Sequence, residues 1–407
     1  MTNSLEVKTS QSELKINHGW RVWLVYFLLS FYAYILNVAG PAVAYLRDEL
    51  DFSFTESGLH TSALALGMVV LGLFGHFILK KLPEWKALGI GGVGLGVGGL
   101  ILVLGRQPAF TLTGLFLMGT IGSFIVATYP AILADEMGKH STVGVSEANT
   151  LSSVISTLAP IAVGFFGAMA TTWRPAVYIV TFLTLVIGAW ILISPHFSWK
   201  TEKSETIQQS KFDKLPGRFW LFWTVLVISV SIEFCLIYWS SDYLQASVMM
   251  PKDSATQWVS LFLIGMVIGR YIGSILLKKY DRFLIIFVSI VLGALGFALF
   301  WLSSSQVFAL MGLLLAGLGV ANFYASSVTL LFDIAGPARA AAGSATTLAS
   351  GVAILLLPFA LGSLADLFGI RQAMLLVAVL FVILTTLVLF GRKTMQLSTS
   401  SEPGGEQ

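Results

Sequence analysis

The chain has 407 residues, 56% of them hydrophobic and 11% charged, with a formal net charge of +3 and a mean hydropathy of +0.84. A water-soluble protein of this size cannot bury so much apolar side chain, so most of it is solvated by lipid. The basic residues fall in short clusters between apolar runs, which gives no nucleic-acid signal, and a single cysteine, Cys235, excludes an intramolecular disulfide and any cysteine-based redox or metal motif.

Residues 1–18 form a polar tail, and the first apolar run, 21–46, is too long for a cleaved signal peptide and reads as a retained span. Runs long enough to cross a bilayer follow at 56–79, 87–104, 110–134, 144–168 and 174–194. After the polar stretch "PHFSWKTEKSETIQQSKFDKLPG" (195–217) they resume at 219–241, 256–277, 283–303, 307–332, 341–364 and 371–391. Twelve spans put both termini on one side. Eighteen of the 24 Lys and Arg lie on that side and five on the other, with Arg270 alone inside a span. The positive-inside rule therefore predicts cytoplasmic termini.

The stretch "GMVVLGLFGHFILKK" (67–81) returns as "GMVIGRYIGSILLKK" (265–279), an offset of 198 residues. The same offset pairs Gly19 with Gly217, Tyr45 with Tyr243, Gly114 with Gly312, Gly119 with Gly317, Asp135 with Asp333, Gly138 with Gly336, Pro160 with Pro358 and Gly164 with Gly362. Chance matches between apolar, Gly-rich helices do not align Lys-Lys, Asp and Pro in one register, so the register predicts a duplicated six-span unit.

With this repeat and the segments "GHFILKKLPEWK" and "GSILLKKYDR" after spans two and eight, the chain resembles the major facilitator superfamily over roughly residues 19–393. Departures are visible: Leu79 and Leu277 stand where the superfamily signature has its acid, and Leu115 stands near an expected arginine. The resemblance implies an all-α membrane protein of twelve helices in two pseudo-symmetric six-helix bundles, with a substrate cavity between them and alternating access. The expected organisation is a tail at 1–18, bundles at 19–194 and 218–393, a linker at 195–217 and a tail at 394–407.

Halves that rock against each other need latches. Lys80, Lys81 and Asp135 lie at the inner ends of spans two and four, and Lys278, Lys279 and Asp333 repeat them in spans eight and ten, with Arg339 nearby. Topology alone explains the lysines but not the matched aspartates, so these seven residues are the expected cytoplasmic gate.

Trp23, Tyr26, Ser30, Tyr34, Asn37 and Pro41 form a polar-aromatic stripe on span one, and Asn322, Ser326, Thr329 and Asp333 form one on span ten. Trp23 and Tyr26 suit interfacial anchoring. Tyr34, Asn37, Asn322 and Ser326 lie deeper, where they line a cavity or bond neighbouring helices. Neither His60 nor His76 has a companion at metal-ligand spacing, and both read as interfacial.

Arg270 stands roughly 12 Å of helix from Lys278, and Glu233 lies well inside span seven. Each costs on the order of 3 kcal/mol in lipid, so each needs a cavity or a partner. Their repeat counterparts are Gly72 and Ile35, which argues against a scaffold role. Three readings stand: Arg270 holds an anion while Glu233 carries a proton, the two form a structural pair, or Glu233 attracts a lipophilic cation.

The expected function is secondary active transport of a small organic solute, preferentially an anion, by a monomer with protons as coupling ion, in the plasma (inner) membrane. A lipophilic-cation exporter, a sugar permease and a non-transporting receptor are the alternatives. No nucleophile–base set or metal cluster marks an enzyme, and no cofactor is implied.

Overall fold

A computed structural model describes residues 18–79, 81–169, 172–197, 215–277 and 279–400. Both end segments, most of the linker, Lys80 and Lys278 lie outside these residues, as do the side chains of His76 and Arg339. The first half contains α1 (Trp20–Leu50), α2 (Phe54–Leu79), α3 (Glu84–Leu104), α4 (Pro108–Thr120), α5 (Phe124–Met137), α6 (Ser141–Ala168) and α7 (Pro175–Ile193). The second contains α8 (Gly217–Val248), α9 (Lys252–Trp258), α10 (Ser260–Leu276), α11 (Arg282–Leu302), α12 (Gln306–Val320), α13 (Phe323–Ala335), α14 (Arg339–Phe368), α15 (Ile370–Ala373) and α16 (Leu375–Ser400). We call the end at which α1 and α8 begin basal, and the end at which they finish distal.

These helices make twelve crossings in two six-helix bundles. Among the described residues eleven continuous stretches are long and apolar enough to span a membrane, one of them 61 residues, Pro108–Ala168. That stretch crosses twice, because the chain reverses at Gly138, whose φ of +50° suits a residue without Cβ. Large apolar side chains such as Phe182, Val382 and Leu302 point outward to where lipid tails lie.

The 198-residue repeat is written into the backbone. Gly138 and its counterpart Gly336 have φ of +50° and +51°, and Asp51 and Met249 close α1 and α8 in the left-handed region at +53° and +55°. A Cβ on Gly119 would stand 1.9 Å from the Leu64 carbonyl oxygen, and one on Gly317 would stand 2.1 Å from that of Phe262, the counterpart of Leu64. A Cβ on Gly67 would stand 2.4 Å from the Phe116 carbonyl oxygen, and one on Gly265 would stand 2.3 Å from that of Leu314, again the counterpart. In lipid no hydrophobic force draws helices together, so this close approach of backbones is what packs α2 on α4 and α10 on α12. Gly67 and Gly265 of the quoted repeat, together with Gly119 and Gly317, are the packing faces of equivalent helix pairs.

Candidate functional site

The stripe on α1 turns mostly toward its own bundle. The Tyr26 hydroxyl donates to Glu147 at 2.8 Å, where His18 also bonds at 2.6 Å. Ser30 meets Ser152 at 3.4 Å, and Tyr34 donates to the Ala176 carbonyl at 3.0 Å and is buried. Tyr34 thus bonds a neighbouring helix. Asn37 is half-buried and makes no hydrogen bond among the described residues, so its amide is available.

Asn322 bonds a neighbouring helix as well, and with Gly269, Gly273, Leu276 and Leu318 it also lines an apolar cavity. Its amide donates to the Gly269 carbonyl at 3.1 Å, and its side chain fills the space that a Cβ on Gly273 would need. Ser326 is buried with no hydrogen-bond partner among the described residues, and Thr329 bonds back to Ala325 at 2.8 Å. His60 is no interfacial residue: it is fully buried, with its ring nitrogens against the Glu56 carbonyl at 2.7 Å and Thr111 at 2.8 Å, and it stacks on Phe52.

Glu233 and Arg270 come together. An Nη2–Oε1 distance of 3.6 Å joins them, longer than a good hydrogen bond. The second terminal nitrogen of Arg270 donates to Ser153 of α6, in the other half, at 3.0 Å. Glu233 is 14% exposed, whereas the Arg270 side chain is 44% exposed although its partners place it between the two halves. Tyr324 and Ser350 from the second half lie beside this site, with Tyr129 opposite from the first half. One arginine, one carboxylate, two phenols and the amide of Asn149 make a polar surface between the halves.

Above this site the halves are tied shut at the distal end. Arg47 Nη2 meets Asp242 Oδ1 at 2.5 Å, and the guanidinium lies 4.2 Å from the centre of the Phe54 ring. Lys252 pairs with Asp48 and sits over the Tyr45 ring, whose hydroxyl donates to Asp253 at 2.5 Å. Asp366 accepts from the backbone N–H groups of Phe54 and Thr55 at 2.9 and 2.7 Å, capping the start of α2 from the other half. At mid-height Ser62 donates to the Leu355 carbonyl at 2.6 Å. Arg47 and Lys252 are two of the five basic residues on the side opposite the termini. The sequence signal for these ties is the acids beside them, Asp48 and Asp242 near the ends of α1 and α8 and Asp253 at the start of α9.

The basal residues are arranged differently. Lys81, Lys279, Asp135 and Asp333 are all exposed. Among the described residues Lys81, Lys279 and Asp135 make no ion pair, and it is the neighbouring Glu136 that meets Arg21, at 3.1 Å.

Two six-span halves around a charged interior site, tied at one end, define a secondary transporter. A family model described as Major Facilitator Superfamily matches residues 22–249 and 240–405. The chain belongs to that superfamily, whose members are membrane transporters and not enzymes. It is 22% identical over 310 residues, 74% of this chain and 77% of the relative, to the cyanate transport protein CynX of Escherichia coli (strain K12). Its fold is similar to that of the nucleoside transporter NupG, with a TM-score of 0.75, 14% identity, and coverage of 92% of this chain and 98% of that one. It is also similar to FucP in the outward conformation, with a TM-score of 0.60, 14% identity, and coverage of 91% and 98%.

Proposed function

We propose that the protein carries a small organic anion across the membrane together with a proton, Arg270 holding the anion and Glu233 the proton. The observation that carries this reading is the accessible Arg270 guanidinium, poised between Glu233 and Ser153 where the other half of the repeat has Gly72. A mostly buried carboxylate needs a counter-charge or a proton. When an anion takes Arg270, Glu233 loses its partner and binds a proton, so that one anion and one proton move without net charge. The likeness to CynX, a transporter of a small monovalent anion by its name, supports this substrate class.

The charge asymmetry of the loops supports a cytoplasmic basal end, with the chain in the plasma (inner) membrane. The distal ties then form the outer gate, and this state opens inward. The counterpart inner gate is Lys81, Asp135, Lys279 and Asp333, with Lys80, Lys278 and Arg339, engaged when the outer gate parts. One chain supplies Arg270, Glu233 and Ser153, so a monomer suffices.

The test is thermal unfolding in detergent with cyanate, benzoate, methanesulfonate, phosphate, sugars and tetraphenylphosphonium, wild type beside Arg270→Gln. At a hundred times its dissociation constant a ligand stabilises by about 2.7 kcal/mol. Anions shift the wild type and leave a folded Arg270→Gln protein unmoved. Stabilisation by sugars or tetraphenylphosphonium alone would sink the anion reading.

A further inference from the structure

Ser153 stands on the opposite half from the arginine it touches. Its hydroxyl donates to the Asn149 carbonyl at 2.9 Å, so a lone pair is left facing Arg270 Nη1 at 3.0 Å. Asn149 is itself held, its amide nitrogen lying 2.8 Å from the Val145 carbonyl and 3.2 Å from the Tyr129 hydroxyl. A ladder along one face of α6 therefore presets the acceptor that meets the guanidinium.

The repeat shows what is special about this contact. The counterparts of Arg270 and Ser153 are Gly72 and Gly351, on α2 and α14. On that seam a Cβ at Gly351 would lie 2.3 Å from Val69, and one at Gly72 would lie 3.7 Å from Thr347. At this level the α2–α14 seam thus has no polar pair, only the close fit of Gly351 on Val69. On the α6–α10 seam both members of the equivalent contact are polar, and they meet. Departure from the repeat on both sides of one contact is not a scaffold requirement.

A guanidinium is planar and grips a carboxylate or sulfonate with two parallel N–H bonds, so the orientation of its plane decides which anions fit. The Ser153 bond is the tighter of the two holds on Arg270, and the 3.6 Å approach to Glu233 is the looser. An arriving anion displaces the looser one. Building on the anion reading above, we infer that Ser153 is the positioning residue of the anion site. Through it the N-terminal half sets the plane of the Arg270 guanidinium, and the Nη2–Nε edge is left for the anion. The anion is then gripped only while α6 stands beside α10, and the site loosens when the halves rock apart on this seam.

The experiment is counterflow of radiolabelled methanesulfonate in proteoliposomes, with wild type, Ser153→Ala, Ser153→Thr and Ser153→Val. Loss of one hydrogen bond to a charged group raises the KM of Ser153→Ala about tenfold, while kcat stays within about twofold. Threonine restores the wild-type KM and the isosteric valine does not, so the comparison holds even if the alanine protein fails to fold. A wild-type KM in Ser153→Ala or Ser153→Val overturns the inference, as does equal impairment of the threonine and valine proteins. If wild type and Arg270→Gln carry methanesulfonate equally, the anion reading itself falls, and the role of Ser153 falls with it.

Discussion

Arg47 and Asp242, on helices of opposite halves, meet at 2.5 Å with their side chains 13% and 3% exposed. A charge this deep is tolerated because it is paired, and breaking such a pair from one side costs about 3 kcal/mol or more. The pair exists only while the distal ends of α1 and α8 touch, so its energy weights the distally closed state. Asp242→Asn therefore shifts the population toward distal opening. In a Cys235→Ala background with cysteine in place of Tyr238, which packs against Gly40 at this closure, labelling by a membrane-impermeant maleimide from the distal side rises several-fold. Unchanged labelling would remove the gate.

Lys252 is the weaker tie. Its partner Asp48 is 56% exposed, and exposed pairs contribute roughly 0–1 kcal/mol. Lys252→Gln raises the same labelling by less than Asp242→Asn does. Asp135→Asn, at the basal end, moves it downward, because the state with the basal end latched is the one it weakens.

The paired glycines predict paired damage. Gly119→Ala and Gly317→Ala each place a Cβ about 2 Å from a carbonyl oxygen on the adjacent helix, and overpacking of this kind costs typically 1–3 kcal/mol. Both proteins melt at lower temperature than wild type. Gly343→Ala, whose Cβ meets nothing nearer than 3.8 Å, melts with it. Equal melting of all three would contradict the packing account.

How much of this was legible follows from what each signal depends on. Span count and the duplicated register depend on apolar length and on Gly, Pro and charge spacing, which a one-dimensional sequence displays. Arg270 and Glu233 were visible for the same reason, as charges in apolar runs without repeat partners. The fates of Tyr34, Asn37 and Asn322 were not, because one helical stripe serves a cavity or a neighbouring helix equally well. Only the placement of Ala176 and Gly269 shows Tyr34 and Asn322 bonding neighbouring helices. The distal ties join residues 195 to 312 positions apart, a range at which no local pattern reports a contact.

Arg174 tests stability apart from transport. Its side chain is almost fully buried at the distal end of the first half, bonded to Glu49 at 2.6 Å and to the Val103 carbonyl at 2.9 Å, and Trp173 donates to the same glutamate at 2.8 Å. Arg174→Gln leaves Glu49 with the Trp173 N–H but without a counter-charge, and lowers stability by about 1–3 kcal/mol. Transport per folded molecule is unchanged, because Arg174 touches neither the interior site nor the other half. A protein of wild-type stability with slowed transport would reverse that assignment.

Glu233→Gln separates binding from coupling. The neutral amide needs no proton when an anion takes Arg270, so exchange of radiolabelled methanesulfonate between equal pools continues. Accumulation driven by an imposed proton gradient is lost. If accumulation persists in this variant, the proton travels elsewhere.

The most direct test of the central claim, that Arg270 binds an anion which moves with a proton, is the internal pH of proteoliposomes loaded with a fluorescent pH indicator. Methanesulfonate is the right probe, since it does not cross lipid as a neutral acid. Its addition outside wild-type vesicles acidifies the lumen with saturable kinetics, and Arg270→Gln vesicles stay at the rate of protein-free ones. Acidification that is equal in wild type and Arg270→Gln, or absent from both, contradicts the account.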